Sequence, residues 1–458
     1  MRLRRIPLRG TSLRLSCGLR PCVRCPPRGR SQYPSGGRAG TDVPRVLLLL
    51  PAAGYRNEDF LVAAQKLDVQ VITAADHCHR LTPLMGLSPI LSLPFDQPEI
   101  AAEQALASLG RSVDAVLAVD DHGLELAAVL RKKLGLAGNP LQAVRATRDK
   151  LAFRRLQQAN GFNCPDFRVA ASEADALALA SSLQYPVVVK ARRLSASRGV
   201  VRADDASSFV RAVARVHRIQ AVADRDAAQL GLIVEAFIPG PEFALEGLLE
   251  EGALRVLALF DKPDPLNGPY FEETIYVTPS RLAPDAQRAI AADVQRACTL
   301  AGLTSGPVHA EMRVNDQGIW LLEVAARSIG GLCGRALDHR LGMSLEELIL
   351  RHALAMPTAS PAGNDASGVM MIPVPAPGIF HRASGLMTAR AVPGVSDIRI
   401  TAQPGQRVAP PPEGSGYLGF IFSRAVAPEA AEAALRAAHA NLAVEIQAEL
   451  PMTWVGAQ

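Results

Sequence analysis

The 458-residue sequence has little of several features that mark particular classes of protein. Aromatic residues make up 5% of it, too few to favour a nucleic-acid binder that stacks bases on aromatic side chains. Its longest strand-like apolar run, Val46 to Leu50, is far shorter than the ~20 residues of a membrane-spanning helix. The seven cysteines are scattered and odd in number, which is typical of a reducing compartment. We therefore expect a soluble, cytoplasmic protein that binds neither nucleic acid nor membrane.

Positive charge is concentrated at the N-terminus. The formal net charge is +5, but residues 1–44 hold ten arginines, no lysine and a single acid, Asp42, so this segment carries +9. The rest of the chain then carries 5 − 9 = −4. A mildly acidic body is not typical of a nucleic-acid-binding domain.

Three interpretations of the N-terminal segment compete. Its Arg- and Ser-rich, acid-poor composition resembles a transit peptide, but its prolines would break an amphipathic helix. Cys22 and Cys25 form a CxxC pair near Cys17, yet no second pair or histidine lies close enough for a zinc site. The sequence favours the third interpretation, a disordered basic extension over residues 1–43 that need not be translated, with Val43 as a candidate for the true start.

Alternating strand and helix patterns follow this extension. They predict buried strands at Arg45–Leu50 and Val113–Val119 and a helix over Gly123–Leu134. Such alternation indicates an N-terminal α/β domain with a parallel sheet over residues 44–142. The acidic pair Asp120–Asp121 comes directly after a strand, at the carboxyl end where open α/β sheets bind ligands.

A second unit, of α+β type, is predicted over residues 143–356. Its clearest signals are two hairpins, one turning at Glu250-Glu251-Gly252 and one turning at Asn315-Asp316. Residues 357–367 (PTASPAGNDAS) have the composition of a linker. Residues 368–458 then predict a small C-terminal α+β module that ends with an Ala-rich helix.

Two lysines in the central unit are candidates for binding an anion. Lys150 lies at the start of a predicted helix, and Lys190 ends the buried run Val187–Val189, where an ammonium is costly without a partner. Phosphate oxygens would be such a partner, although each lysine alone is more often a surface residue. The small residues of the following loop, Ser195–Gly199, would let the backbone approach an anion closely, although loops of this kind are usually only turns.

The stretch from Glu235 to Glu242 combines a strand end with a turn. Free backbone groups at Ala236 and Ile238 could pair with the edge of an adenine, and a carboxylate seven residues after Glu235 could accept both hydroxyls of a ribose. An exposed hairpin edge explains the pattern about equally well.

Glu311 and Glu323 form the strongest chemical signal. They lie in adjacent apolar strands of the second hairpin, and two carboxylates brought together in a core repel unless a cation binds them. Mg²⁺ bound by one or two carboxylates and by nucleotide phosphates would remove this conflict. Structural ion pairs with Arg313 or Arg327 are the alternative, which the sequence favours less.

In this order, the lysines, the small-residue loop, the Glu-x4-Gly-x-Glu turn and the two acidic strands resemble the ATP-grasp superfamily over residues 143–355. The segments Asp261-Lys262-Pro263, Pro269–Thr274 and Gly306–Glu311 look more narrowly like the L-amino-acid ligases, the group that includes carnosine synthase. The stretch Gly394-Val395 through Tyr417–Phe420 looks like the small terminal domain of those ligases. The resemblance implies an ATP-grasp domain between the N-terminal α/β domain and the C-terminal module, with ATP and Mg²⁺ or Mn²⁺ as cofactors.

The resemblance also implies a role for each matching residue. Those that would bind ATP are Lys150, Lys190, Ser195, Ser197, Gly199, Glu235, Ala236, Ile238 and Glu242. Glu311 and Glu323 would bind the metal. Arg327 would bind the carboxylate and then the acyl phosphate, because its planar guanidinium fits two oxygens at once. Glu273 would hold an ammonium group near the substrate.

Two positions distinguish this sequence within the superfamily. Ala325 stands where many members have a metal-binding Asn, which leaves open how many magnesium ions bind. His309, placed with the catalytic residues because it shares a strand face with Glu311, is commonly Arg in D-alanine–D-alanine ligases.

The expected function is that of an ATP-dependent ligase that joins a small-molecule carboxylate to an amine, both expected to be amino acids, through an acyl phosphate. The alternatives are a carboxylase- or formate-type enzyme, or a nucleotide-binding protein without turnover. A homodimer is compatible with the sequence.

Overall fold

A computed structural model describes residues 43–51, 54–76, 90–109, 113–223, 230–358, 363–414 and 416–449. The basic N-terminal extension before Val43, with its CxxC pair, lies outside the described residues, so its three interpretations remain open.

The strands, numbered along the chain, are β1 Arg45–Leu50, β2 Gln70–Ala75, β3 Ile90–Ser92, β4 Ala115–Ala118, β5 Phe167–Ala170, β6 Val187–Ala191, β7 Val200–Ala203, β8 Leu232–Ala236, β9 Glu242–Glu250, β10 Ala253–Lys262, β11 Ile275–Thr278, β12 Gly306–Asn315, β13 Gly318–Ala325, β14 Ala366–Ile372, β15 Gly378–Ser384, β16 Val395–Ile400, β17 Arg407–Val408, β18 Gly419–Ala425 and β19 Ala443–Gln447. The α-helices are α1 Asn57–Lys66, α2 Pro98–Leu109, α3 Leu124–Leu134, α4 Leu141–Arg148, α5 Lys150–Ala159, α6 Glu173–Ala178, α7 Ala206–Ala223, α8 Pro284–Ala301, α9 Asp338–Leu341, α10 Leu345–Ala353, α11 Leu386–Arg390 and α12 Pro428–Ala440. Short 3₁₀ helices cover Asp121–Gly123 and Cys333–Leu337.

The first sheet is parallel, as the sequence predicts, and has the strand order β3-β2-β1-β4. Its central strand β1 is an unbroken apolar run because both of its faces are covered. Leu47 and Leu49 pack in one core with α2 and α3, whereas Val46 and Leu48 pack in a core on the opposite face. The carboxyl end of β4 leads directly to Asp120–Asp121.

The second sheet has eight strands in the order β13-β12-β9-β10-β11-β14-β18-β16. Both predicted hairpins are present in it. The β9–β10 turn consists of Glu251 and Gly252, with φ of 53° and 86°, the left-handed backbone that a two-residue hairpin turn requires. One face of this sheet packs against α8 through Phe243, Leu245 and Val308.

A third sheet, β5-β8-β6-β7, is antiparallel and packs against α6 and α7. The sequence patterns considered above did not predict α7, which buries Phe209, Val213 and Val216 in the core of this sheet.

The C-terminal residues continue the eight-stranded sheet. Strand β14 pairs with β11 on one side, Thr278 opposite Ser367, and with β18 on the other. The predicted boundary at residue 367 therefore falls inside a strand of a continuous sheet. Likewise α4 crosses the predicted boundary at residue 142. None of the helices in the described ranges combines the length and the apolar character that a membrane span requires.

Candidate active site

A cavity of about 290 Å³ is lined by the third sheet, by the eight-stranded sheet and by the carboxyl end of the parallel sheet. Gly199 is not among its lining residues, whereas the other predicted site residues are. Those residues are Lys150, Lys190, Ser195, Ser197, Glu235, Ala236, Ile238, Glu242, Glu273, His309, Glu311, Glu323 and Arg327.

Lys190 extends from β6 into the cavity, and its ammonium forms an ion pair with Glu235. Its ammonium lies 2.6 Å from Glu235 Oε2, and the fully buried Arg154 donates to both oxygens of the same carboxylate at 2.9 and 3.2 Å. Burial raises the pKa of Glu235, but Arg154 and Lys190 outweigh it and hold the pKa at about 2. Glu235 therefore acts on the cavity mainly through Lys190.

Lys150 lies at the first turn of α5, where Asp149 caps the helix by accepting from the amide of Leu151. Its ammonium donates to the Leu194 carbonyl at 2.7 Å and lies 3.2 Å from Glu323 Oε2. The Lys150 side chain therefore connects the small-residue loop to the acidic strand β13.

The middle of the loop between β6 and β7, residues 195–197, lines the cavity. Ala196 and Ser197 both have φ near +55°, which turns this stretch sharply. Gly199, the last residue of the loop, does not line the cavity, and its amide donates to the Pro412 carbonyl at 3.4 Å.

The strand end at Ala236–Ile238 adjoins an aromatic patch. The rings of Phe237 and Phe271 are stacked, with centroids 6.5 Å apart, and both line the cavity. Arg313 donates to the Ile238 carbonyl at 2.6 Å and to Glu242 Oε2 at 3.0 Å. This is the part of the cavity that the sequence predicts as an adenine and ribose site, and the Ile238 carbonyl and the Glu242 carboxylate there already accept hydrogen bonds from Arg313.

Strand pairing explains why so many charged side chains share one face. Side chains alternate along a strand, so His309, Glu311 and Arg313 point to the same side of β12. Their partners on β9 are Glu246, Ala244 and Glu242, and Lys262 on β10 lies opposite Glu242. This charged face lines the cavity, whereas the opposite face of the same strands is apolar.

Glu311 and Glu323 are direct partners across the β12–β13 hairpin and both line the cavity. Their side chains are 22% and 23% exposed, so both carboxylates can reach a ligand in the cavity. Carboxylate oxygens on adjacent strands are the donors that Mg²⁺ prefers, and the pair fits such an ion. Neither glutamate pairs with Arg313 or Arg327, the alternative considered from the sequence: Glu323 contacts Lys150, and Glu311 contacts Lys262 and His309.

His309 lies between two carboxylates. Its Nδ1 is 2.5 Å from Glu246 Oε1 and its Nε2 is 3.2 Å from Glu311 Oε1. Burial lowers the pKa of His309, but the two glutamates outweigh it and raise the pKa to about 9. The ring is therefore an imidazolium at neutral pH, and it helps to hold Glu311 in place.

Glu273 lies 2.5 Å from the ammonium of Lys262. Burial raises the pKa of Glu273, Lys262 lowers it and Glu311 raises it again, which brings it to about 7. The predicted ammonium-binding carboxylate therefore already contacts an ammonium group of this chain.

Arg327 follows β13 and pairs with the parallel sheet. Its Nε lies 2.7 Å from Asp121 Oδ2, and its Nη1 donates to the Ser328 carbonyl at 3.0 Å. Burial lowers the pKa of Arg327, but the carboxylates of Asp121 and Glu323 outweigh this effect and keep the pKa above the usual range. Arg327 thus lies where the parallel sheet meets the strands of Glu311 and Glu323.

Sequence reasoning missed three residues that organise this cavity. The sequence places Asp121 at a strand end without predicting a partner, and it predicts no role for Lys262. Arg154 gave no sequence signal, since its burial depends on strands far away in the chain. For Lys262 the signal was available, because it ends a buried strand as Lys190 does.

Comparison with known proteins identifies the fold around this cavity as ATP-grasp. The family model of the ATP-grasp domain matches residues 183–336. The L-amino acid ligase C-terminal domain 2 matches residues 370–447. The chain thus contains an ATP-grasp domain followed by a C-terminal domain of the L-amino-acid-ligase type, which confirms the resemblance predicted from the sequence.

Individual relatives belong to the same group. Carnosine synthase 1 of Gallus gallus is 30% identical over 334 residues, which cover 64% of this chain and 35% of that protein. Alanine–anticapsin ligase of Bacillus subtilis is 23% identical over 273 residues, covering 56% of this chain and 57% of the ligase. The chain therefore spans about a third of the length of the first and just over half of the second.

A solved structure matches over nearly its whole length. The L-amino acid ligase of Bacillus licheniformis is 26% identical with a TM-score of 0.73, covering 88% of this chain and 99% of that one. The predicted enzyme class, a ligase, is the class of these relatives.

Proposed function

We propose that this chain is an ATP-dependent carboxylate–amine ligase that forms an amide bond, of the dipeptide type, through an acyl phosphate. The observation that carries the proposal is the line of charges across the cavity, from the lysines of the third sheet through Glu311 and Glu323 to Arg327. Each part matches one requirement of the reaction: bound phosphates, a metal and a bound carboxylate.

In the first step, an oxygen of the substrate carboxylate attacks the γ-phosphorus of ATP, giving an acyl phosphate and ADP. Lys150 and Lys190 bind the phosphates, while Arg327 orients the carboxylate and faces the charge that develops on the transferred group. Magnesium bound by Glu311 and Glu323 would neutralise phosphate charge. Ala236, Ile238 and Glu242 position the nucleoside.

In the second step, the nitrogen of the amine substrate attacks the acyl carbon, phosphate leaves, and the nitrogen loses a proton. The acyl phosphate must be shielded from water during this step. Residues of the third sheet and its β6–β7 loop line the cavity beside Lys150 and Lys190 and would provide that shielding. The L-amino-acid-ligase type of C-terminal domain supports amino acids as both substrates.

Phosphate release from ATP, screened against pairs of amino acids, tests this proposal. Release should require two amino acids together with Mg²⁺ or Mn²⁺, and mass spectrometry should detect their dipeptide. Bicarbonate and formate serve as matched co-substrates for the carboxylase- and formate-type alternatives. Stimulation by either of them, without any dipeptide, would reject the ligase proposal.

A further inference from the structure

Lys262 is a buried lysine at the centre of the charged face. It ends β10, and its side chain is only 3% exposed. Its ammonium lies 2.8 Å from Glu242 Oε1, 2.5 Å from Glu273 Oε1 and 3.0 Å from Glu311 Oε1. An ammonium has three N–H donors, and each one finds a carboxylate here.

The three glutamates around Lys262 have the geometry of a cation site. One carboxylate oxygen from each of Glu242, Glu273 and Glu311 lies within 4.8 Å of the others. Three carboxylates this close repel strongly when nothing positive lies among them. Lys262 supplies that positive charge from within the chain.

The same three glutamates belong to different parts of the proposed site. Glu242 lies at the nucleoside end and also accepts a hydrogen bond from Arg313. Glu311 faces Glu323 across the metal hairpin, and Glu273 lies on the loop before β11. One side chain thus fixes the distances between the ribose, metal and substrate regions.

The contacts of Glu311 show how this arrangement directs a metal. Lys262 and His309 both contact Oε1 of Glu311, at 3.0 and 3.2 Å. The Lys262 ammonium therefore meets Glu311 on this side, where a further cation would be repelled. On the side that faces Glu323, Lys150 contacts Glu323, while Lys262 contacts Glu311 only at Oε1.

We propose that Lys262 is a positioning residue that acts as a built-in cation, holding Glu242, Glu273 and Glu311 together and excluding a divalent ion from the space between them. Magnesium is thereby directed to Glu311 and Glu323. The inference rests on the proposed function in assigning a nucleotide and its metal to this cavity, but the exclusion of metal by Lys262 follows from the geometry alone.

The test measures Mn²⁺ binding to the full chain without nucleotide, by thermal unfolding and by the electron paramagnetic resonance signal of free Mn²⁺. In Lys262→Met, the three carboxylates should gain a Mn²⁺ ion that the wild type does not bind. We expect at least a tenfold gain in Mn²⁺ affinity and an unfolding temperature that rises by several degrees with Mn²⁺. A lysine with a merely structural role would not produce a new metal site.

Two further variants serve as controls. Lys66→Met removes a lysine that also pairs with a buried glutamate, Glu347 at 2.7 Å, but lies outside the cavity lining, and it should gain no Mn²⁺. Lys262→Met combined with Glu273→Gln removes one carboxylate of the cluster and should lose most of the gained affinity. This double variant should also be more stable than Lys262→Met in the absence of metal.

The outcomes separate clearly. Equal Mn²⁺ binding by the wild type and folded Lys262→Met would overturn the inference. If Lys262→Met does not fold alone, its recovery by Mn²⁺ or by Glu273→Gln supports the inference, and failure of both overturns it. The Mn²⁺-binding test uses neither ATP nor amino acids. A positive result therefore supports the role of Lys262 even if the ligase reaction is not found.

Discussion

At the scale of single residues, charged side chains in the cavity contact partners of opposite sign. Lys190 pairs with Glu235, Lys150 with Glu323, and Arg327 with Asp121. Ligand binding must exchange some of these contacts for contacts to phosphate or carboxylate oxygens. Substitutions that keep a charge but change its geometry are therefore the most informative.

Arg327→Lys should lower kcat by roughly two orders of magnitude, because a lysine cannot hold two oxygens in a planar fork and about 3 kcal/mol of transition-state stabilisation is lost. ATP binding should change little. Steady-state kinetics and nucleotide titration measure both quantities. The control is Arg288→Lys, whose side chain is 71% exposed and lies on α8. A destabilised but fully active Arg327→Lys would show that the arginine only supports the structure.

Glu323→Gln should reduce turnover by about 100-fold, since one of the two carboxylates facing the metal is lost. The Mg²⁺ concentration needed for half-maximal activity should rise as well. A Mg²⁺ titration of activity measures this, with the exposed Glu99→Gln as the control. An unchanged Mg²⁺ dependence would place the metal elsewhere.

Asp338 gives a prediction about pH and stability. Burial first, then the carboxylates of Glu346 and Asp59, raise its pKa from 3.8 to about 7, and its Oδ1 is buried without a partner among the described residues. Because the folded pKa lies above the unfolded one, the protonated carboxyl favours folding at low pH, and this stabilisation is lost as the pH rises from about 4 to 7.

Asp338→Asn should therefore raise Tm at pH 8 by roughly 2 °C and flatten the fall of Tm between pH 4 and 7. Thermal unfolding over this pH range measures it. Asp285→Asn, at a side chain that is 89% exposed, should leave the pH profile as it is. An Asp338→Asn profile parallel to the wild type would contradict the assignment.

At the scale of elements, the helix α7 links the third sheet to the C-terminal residues. Arg215 contacts both oxygens of Glu413 at 2.6 and 2.7 Å and lies 4.8 Å over the Tyr270 ring. The amide of Gly199 also reaches the Pro412 carbonyl. These contacts join α7 and the β6–β7 loop, part of which lines the cavity, to a loop of the C-terminal module.

Glu413→Gln should speed nucleotide dissociation by up to about fivefold, since a partly exposed ion pair contributes at most ~1 kcal/mol. Stopped-flow measurement with a fluorescent ATP analogue would follow it. Glu445→Gln breaks an exposed pair with Arg382 on another sheet and should have no effect. A dissociation rate equal in both variants would show that the contact does not hold the loop.

At the scale of the whole molecule, the C-terminal module completes the eight-stranded sheet. The residues of β14 are buried throughout, and Val369 and Met371 pack in one core with Phe260 and Leu345. Removing the module would expose the edge of β11 and this apolar surface together.

A chain that ends at Met356 should therefore fail to give soluble, cooperatively folding protein, which expression and thermal unfolding would show. As a control, a few Gly-Ser residues added between Thr358 and Gly363 should be tolerated, because lengthening a connection costs little free energy. A well-folded truncated chain would show that the module is separable, as the predicted boundary at residue 367 implies.

Local signals explain what the sequence by itself determined. Apolar periodicity and turn residues located strands β1 and β4 of the parallel sheet, both hairpins and the helix Pro428–Ala440, because these features depend on neighbouring residues. The order of the lysines, the turn and the acidic strands was enough to predict the ATP-grasp resemblance. The placement of Glu311 and Glu323 on adjacent strands of one hairpin also followed from the sequence, whereas their direct pairing depends on a β-bulge between Glu311 and Met312.

Only the tertiary structure decided which charges meet. Arg327 and Asp121 are 206 residues apart, and Lys262 and Glu311 are 49 apart, so no local pattern pairs them. For the same reason, the sequence does not predict that β11 pairs with β14, because a stretch with the composition of a linker precedes β14. Strand order and sheet faces come from packing between distant segments, and that packing placed Lys262 among three glutamates.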